Sequence, residues 1–133
     1  MAATKFRESN MVKWVGVRPA HNGEQALAWK SVTNATGIVY TVPAGKLLLL
    51  TYAMLQCNGD AAGSGELYIR DLGDVLVWTI LRVRCKTSVG AYPCVCSPFV
   101  YPIEIPAGYD VAVISGASGL DVCGAIAGWI EAA

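Results

Sequence analysis

The sequence predicts an all-β fold, a sandwich or barrel of antiparallel sheets that follows an N-terminal arm. Three observations carry this prediction. β-Branched and aromatic residues recur in short runs from Ile38 onward. Clusters of Gly, Pro, Asp and Ser bound these runs, and no segment with a helical period lies between them. Strands that follow one another without intervening helices are typical of sandwiches and barrels.

Residues 1–37 hold many of the polar side chains, and we predict that they form an arm with one hairpin. The segment MVKWVGV, residues 11–17, alternates well enough to form a strand. RPAHNG, residues 18–23, has turn chemistry, because proline fixes one dihedral angle and Asn-Gly tolerates positive φ. EQALAWKSV, residues 24–32, fits either a short helix or a strand, and we favour the strand.

The second predicted unit, residues 38–133, is a β-sandwich domain with regularly spaced turns. With one or two strands from the arm, the total reaches eight or nine. Its candidate strands are residues 38–42, 46–57, 65–71, 74–84, 95–104, 109–115 and 121–131.

The turn sequence Pro-Ala-Gly occurs twice, within Val42–Lys46 and within Ile105–Tyr109. Proline at the second position of a type I turn presets φ, and glycine at the fourth position can adopt the left-handed conformation. An alternating strand enters each turn and an apolar strand leaves it. The repeat therefore predicts two similar hairpins, one in each half of a sandwich. The residues assigned to these turns are Pro43, Gly45, Pro106 and Gly108.

The composition favours a protein that assembles. Hydrophobic residues make up 54% of the chain and charged residues 15%, against a usual charged share of about 25%. We therefore expect some apolar surface to face another subunit. The 10 basic and 10 acidic side chains cancel and are scattered along the chain, which removes the basic patch that a nucleic-acid partner requires.

A membrane partner is not expected either. The longest aliphatic run, around Leu47–Leu50, is much shorter than the ~20 residues of a membrane-spanning helix. Residues 1–15 lack the hydrophobic stretch of a secretory signal. The chain is therefore expected to be a soluble product of the cytosol.

Four segments in a fixed order resemble a group of small jelly-roll domains in bacteriophage virion proteins. They are YTVPAGKLLLLTYA (Tyr40–Ala53), GELYIRDLGDVLVWTIL (Gly65–Leu81), YPIEIPAGYDVAVIS (Tyr101–Ser115) and VCGAIAGWIE (Val122–Glu131). Such domains have a first Pro-Ala-Gly turn, a glycine-bounded central hairpin, a second Pro-Ala-Gly turn and a terminal G-x-x-x-G-aromatic strand. The resemblance, over residues 38–131, implies an antiparallel jelly-roll β-sandwich. It also implies a virion location, assembly as a trimer, and a role in capsid decoration or in a tail or fibre.

We therefore predict a non-enzymatic virion structural protein that is made in the host cytoplasm, forms a homotrimer and binds a capsid or tail protein on the phage particle. The alternative is a carbohydrate-binding or receptor-binding module of a phage tail, with a glycan as partner, because exposed aromatic residues can stack on sugars. Trp78 and Trp129 are expected to pack inside the sandwich. The candidate interface residues are Trp14, Trp29, Leu48, Leu50 and Tyr52.

No catalytic residue, cofactor or metal is predicted. His21 is the only histidine, and no paired acidic motif accompanies it. Cys94 and Cys96 project from the same face of a strand, ~6.5 Å apart, but the paired CxxC spacing of zinc sites is absent. The five cysteines are expected to be buried free thiols, with a disulfide between Cys85 and Cys94 as an alternative. The loop aspartates, expected to cap turns rather than to bind calcium, are Asp60, Asp71, Asp74 and Asp121.

Overall fold

A computed structural model of the chain describes residues 24–59, 61–86 and 93–133. Eight strands lie within those ranges, and each of the seven candidate strands from residue 38 onward corresponds to one of them. The strands are β1 (Glu24–Thr33), β2 (Thr36–Thr41), β3 (Lys46–Gly59), β4 (Gly63–Arg70), β5 (Leu76–Cys85), β6 (Cys94–Ile105), β7 (Asp110–Ser115) and β8 (Leu120–Ala132).

The strands form two antiparallel four-stranded sheets that pack face to face. Sheet A has the order β1-β8-β3-β6, and sheet B has the order β2-β7-β4-β5. All strand pairs that the hydrogen-bonding register defines are antiparallel. This strand order, with eight strands divided between two sheets, is that of a jelly roll. The predicted fold class is confirmed.

Strand β8 shows why these residues form strands. Its burial alternates along the whole strand, so that one set of side chains faces the core and the other faces outward. Leu120, Val122, Ile126 and Ile130 are buried on the inner face. Beside them, β3 contributes inward-facing leucines to the same aliphatic core.

The residues that the structure describes contain no helical segment with the length and hydropathy of a membrane span.

The sandwich begins earlier in the chain than the sequence indicated. Strand β1 pairs with β8 along its whole length, from Glu24 opposite Ile130 to Thr33 opposite Asp121. The predicted boundary between residues 37 and 38 falls inside β2. Ala26 is buried in the core while its neighbours along β1 are exposed, so this segment is an edge strand of the sandwich. The predicted strand 11–17 and turn 18–23 lie outside the described residues.

The two Pro-Ala-Gly turns are corners that connect the sheets, and the prediction of two hairpins was wrong. The first turn leads from β2 in sheet B to β3 in sheet A, and the second leads from β6 in sheet A to β7 in sheet B. In the first, Lys46 N donates to Pro43 O at 3.2 Å; in the second, Tyr109 N donates to Pro106 O at 3.2 Å. Proline therefore takes the first turn position rather than the second.

Glycine accordingly occupies the third position of each corner, where a type II turn requires positive φ. The φ angles are 73° at Gly45 and 82° at Gly108. The two corners lie side by side, because Val42 N donates to Tyr109 O at 3.0 Å and Gly108 N donates to Val42 O at 2.8 Å. The chain therefore crosses between the sheets twice at neighbouring positions. The strands before and after the two corners pair with each other, β2 with β7 in sheet B and β3 with β6 in sheet A.

Candidate assembly surfaces

An apolar band crosses the outer face of sheet A. On β1, Leu27 lies opposite Ala127 of β8, and Trp29 lies opposite Ala125. On β3, Tyr52 and Met54 lie opposite the same two alanines from the other side. Directly opposed side chains in a sheet contact one another, so these residues form one surface. We call the following set the sheet A patch: Leu27, Trp29, Tyr52, Met54, Ala125 and Ala127.

The sheet A patch is most exposed along β1. Leu27 is 65% exposed and Trp29 is 71% exposed, and both are large side chains at one edge of the patch. The two alanines of the central strand lie between the β1 side chains and those of β3.

A second apolar surface lies along the side of the sandwich where β5 ends sheet B and β6 ends sheet A. At the start of β5, three consecutive residues, Leu76–Trp78, are each about half exposed, so this strand is open on both faces. We call the following set the flank patch: Leu72, Val75, Leu76, Val77, Trp78, Val100 and Tyr101.

The most prominent part of the flank patch is a bulge in β6. Tyr52 of β3 pairs with Pro98, and Leu50 pairs with Ile103, so a single β3 residue, Thr51, lies opposite residues 99–102. Extra residues in one strand bend it away from its partner. Two side chains at the top of this bulge, Val100 and Tyr101, are 76% and 87% exposed.

The β4–β5 turn holds the other end of the flank patch in place. The Asp71 carboxylate accepts hydrogen bonds from Gly73 N at 2.8 Å and from Val75 N at 3.0 Å. The predicted turn-capping role of Asp71 is therefore confirmed. Leu72 packs over the second corner, since a Cβ added to Gly108 would lie 2.4 Å from its Cδ2 atom.

The outer face of sheet B carries charged side chains that are paired within the subunit. Buried Asp110 accepts a hydrogen bond from Thr41 Oγ1 at 2.6 Å and one from Arg70 Nε at 3.1 Å. Arg82 forms an ion pair with Glu66 at 2.7 Å on the same face. These charges already have partners within the subunit, so they do not require ion pairs with another subunit.

Two of the predicted interface residues lie in the core. Leu48 and Leu50 are fully buried, because β3 alternates and these two side chains point inward. Trp29 and Tyr52 are exposed, on the sheet A patch. Trp14 lies outside the described residues.

The remaining tryptophans depart from the prediction that they pack inside. Trp78 is half exposed in the flank patch, because β5 is an edge strand whose start is open on both faces. Trp129 is partly buried, and its Nε1 atom donates to Glu131 Oε2 at 2.9 Å. Sequence reasoning missed most of the flank patch, because runs of consecutive apolar residues are also typical of buried strands.

The five thiols differ in their environments. Cys57 and Cys85 are buried and free, as predicted. The prediction was wrong for Cys94 and Cys96, which are exposed on edge strand β6, and no disulfide joins Cys85 to Cys94. Burial raises the pKa of the Cys57 thiol to about 11, with a further contribution from Cys85. Within the described ranges, no three His, Cys, Asp or Glu side chains lie close enough to hold a metal ion.

These environments predict selective thiol chemistry. At pH 8 a thiol with a pKa of about 11 is ionised in only about one molecule in a thousand. Cys94 and Cys96 should therefore react with an alkylating reagent in the native protein, while Cys57 and Cys85 should react only after unfolding. Mass spectrometry of the labelled peptides measures this, with denatured protein as the control. Labelling of native Cys57 as fast as that of Cys94 would contradict the burial.

A small polar groove lies next to the sheet A patch. It encloses about 120 Å³. Thr33 Oγ1 donates to the Asp121 carboxylate beside it. Trp29 precedes Ser31 on the same face of β1, so the groove is close to an exposed aromatic ring. The groove is lined by Ser31, Gln56, Asn58, Asp121 and Cys123.

No protein-family model and no curated protein matches this sequence. Among solved structures, a pentameric capsid protein from metagenomic phage sequences aligns with a TM-score of 0.43 and 16% identity, over 99% of this chain and 76% of that one. A protein of Bacillus endospore appendages, described as disulfide-linked pili, aligns with a TM-score of 0.42 and 12% identity, over 87% and 93%.

A chain from the virus-like particle of the extra small virus of the prawn Macrobrachium rosenbergii aligns with a TM-score of 0.41 and 9% identity, over 88% of this chain and 86% of that chain. Viral capsid proteins are thus among the structures that this chain is similar to.

Proposed function

We propose that this protein is a non-enzymatic structural component of a phage virion, a capsid decoration protein that forms a homotrimer and binds the particle surface. One observation carries the proposal. Of the eleven large hydrophobic side chains that are exposed in the described residues, ten lie in the sheet A patch or the flank patch. Contiguous apolar surface on a folded domain marks an interaction site. The order of the Pro-Ala-Gly turns, the central hairpin and the terminal glycine-rich strand supports a virion role by its resemblance to small jelly-roll virion proteins.

The flank patch is close to the size that a specific interface needs. An aromatic side chain buries about 150–250 Å², and five of the seven flank residues are smaller aliphatic side chains, so the seven together, each about half exposed or more, offer on the order of 700 Å². A specific interface needs about 800 Å² on each partner. At about 25 cal/mol per Å², the flank patch alone contributes on the order of 15 kcal/mol before the entropic cost of association is subtracted.

Binding to particles tests this function. Phage particles that lack the protein should bind added recombinant protein to saturation, at a fixed number of copies per particle, and should then resist heat better. A variant with Leu27→Glu and Trp29→Glu should bind less well, because charge on the sheet A patch opposes burial. The control is Ile38→Glu on the outer face of sheet B, which should bind like the wild type. Absence of the protein from purified particles, measured by mass spectrometry, would contradict the proposal.

A second candidate function, glycan binding by a phage tail module, is favoured by one observation. The exposed Trp29 ring lies beside the polar groove that Ser31, Gln56 and Asn58 line. An aromatic face next to hydrogen-bonding side chains suits a sugar ring. A glycan array distinguishes the two functions. Glycan binding that is lost in Trp29→Ala, together with no binding to intact particles that lack the glycan, would favour the module. An array on which the protein binds no glycan would leave assembly as the function.

A further inference from the structure

We propose that Cys94, Cys96 and Met54 form a binding site for a soft monovalent metal ion, Cu(I), on the outer face of sheet A. This site goes beyond the proposed virion function and does not depend on it. The two cysteines are two residues apart on β6, and both are exposed. Val95, between them, packs against the core. The two thiols therefore project from the same, outward face of the strand.

A third sulfur atom lies beside the two thiols, on the neighbouring strand. Met54 of β3 is directly opposite Cys96 in the register of the two strands, and its side chain is half-buried. Directly opposed residues have Cβ atoms about 5 Å apart. The methionine side chain is unbranched and flexible, so its thioether can reach the space beside the Cys96 thiol. Two thiols and one thioether thus share a small area at the β6 edge of sheet A.

Tyr52 holds the Cys96 end of this cluster. A hydrogen bond with the Cys96 thiol raises the pKa of the Tyr52 hydroxyl. A thiolate has no proton to donate, so the Tyr52 hydroxyl is the donor when Cys96 is bound to a metal ion. Hydrogen bonds of this kind orient a metal ligand.

The number and the kind of ligands decide which ion fits. Thiolate and thioether sulfur atoms are soft donors that favour Cu(I). A structural zinc ion requires four ligands, and the described part of the chain offers no group of three or more His, Cys, Asp or Glu side chains that could hold an ion. Cu(I) is stable with two or three sulfur ligands, which is the number present here. Its binding breaks two S–H bonds, forms two copper–thiolate bonds and releases two protons to the solvent, while the thioether donates a lone pair and copper stays in the +1 state.

The spacing of the two cysteines favours a bridging ion over a disulfide bond. Alternate residues of a strand are about 6.5 Å apart, whereas a disulfide requires Cβ atoms about 3.8 Å apart and sulfur atoms about 2 Å apart. Two metal–thiolate bonds of about 2.3 Å each join sulfur atoms that are up to about 4.6 Å apart. Because both side chains are exposed, rotation about their Cα–Cβ bonds brings the sulfur atoms to this separation without a change in the backbone.

The experiment titrates the reduced full chain with Cu(I) under anaerobic conditions, in competition with a chromophoric Cu(I) chelator. Native mass spectrometry counts the bound ions. The variants Cys94→Ser and Cys96→Ser each remove one thiol from an exposed position, and Met54→Leu removes the thioether with little change in volume. The matched control is Cys123→Ser, because Cys123 lies on β8 opposite Gln56 and outside the proposed site. Circular dichroism checks that all four variants fold.

We expect the wild type to bind one Cu(I) per chain, and the bound ion to protect Cys94 and Cys96 from alkylation. Cys94→Ser and Cys96→Ser should each lose this binding, Met54→Leu should bind more weakly, and Cys123→Ser should bind like the wild type. The site is wrong if either Cys94→Ser or Cys96→Ser keeps the wild-type affinity, or if Cys123→Ser loses it. Wild-type affinity in Met54→Leu would contradict the third ligand.

The alkylation assay on the wild type tests the site without any substitution. If Cu(I) leaves the labelling of Cys94 and Cys96 unchanged, or if the wild type takes no Cu(I) from the chelator, the proposal is overturned. The virion function is tested separately by the presence of the protein in particles, so either proposal can fail without the other.

Discussion

Replacing Gly128 by alanine is expected to lower the free energy of unfolding by about 3 kcal/mol. A Cβ atom at this position would lie 2.2 Å from the carbonyl oxygen of Leu49 and 3.1 Å from the Cα atom of Leu50. Both atoms belong to the backbone of β3, which pairs with β8 through the centre of sheet A. Backbone atoms of a central strand cannot move aside without breaking hydrogen bonds of the ladder. The added methyl group therefore strains the sheet.

Thermal and urea unfolding measure this effect, and a loss of about 3 kcal/mol corresponds to a lower Tm by ~10 °C for a domain of this size. Gly73→Ala is the matched control, because its Cβ would contact only Asp71 Oδ1, at 3.5 Å. It should change stability by less than about 0.5 kcal/mol. A Gly128→Ala protein as stable as the Gly73→Ala protein would show that β8 and β3 do not approach as closely as described.

The glycines of β8 illustrate what the sequence could and could not predict. The G-x-x-x-G-aromatic spacing identified this segment as a terminal strand by resemblance, and β8 confirms that strand. The physical reason for the glycines lies in contacts between distant parts of the chain. A Cβ at Gly124 would lie 2.8 Å from Leu67 Cδ1 in the opposite sheet, and one at Gly128 would clash with β3. Local pattern indicates a strand, but only the pairing shows which atoms approach it.

The two corners likewise show that local pattern predicts the strands but not their pairing. Alternation and turn chemistry placed β2, β3, β6 and β7 correctly, because both signals are local. They did not show whether the strands on either side of a turn pair with each other. A turn of the same residues can close a hairpin or carry the chain from one sheet to the other. Here the partner of Val42 is Tyr109, which is far away in sequence.

The candidate surfaces were predicted in part for a similar reason. Trp29 is an exposed residue of an edge strand, and its position in a polar segment indicated exposure. The exposure of Val100 and Tyr101 depends on the bulge opposite Thr51, which is a property of two strands together. Leu76–Trp78 are exposed because β5 ends its sheet. Neither fact can be inferred from a run of apolar residues.

Strand β3 posed a further problem, because Leu47–Leu50 are four identical residues and identical residues carry no alternation. The sequence therefore left open which pair faces the core, and Leu48 and Leu50 were assigned to the interface. In the structure these two are fully buried, while Leu47 and Leu49 are only partly buried on the outer face. The parity of this strand is set by its pairing with β8 and β6.

Leu50→Ala and Leu48→Ala are each expected to destabilise the subunit by about 3 kcal/mol, since removal of a buried leucine side chain leaves a cavity in the packed core. Leu72→Ala is the matched control for the same chemical change, because Leu72 is 75% exposed and should cost less than about 0.5 kcal/mol. Urea unfolding at a dilution where the wild type is monomeric gives all three values, so that the position of Leu72 in the flank patch does not contribute. If Leu50→Ala keeps wild-type stability but loses assembly, the residue belongs to an interface after all and the inward parity of β3 is wrong. A loss of stability with assembly retained at low temperature places Leu50 in the core and leaves the contact between copies to the exposed patches.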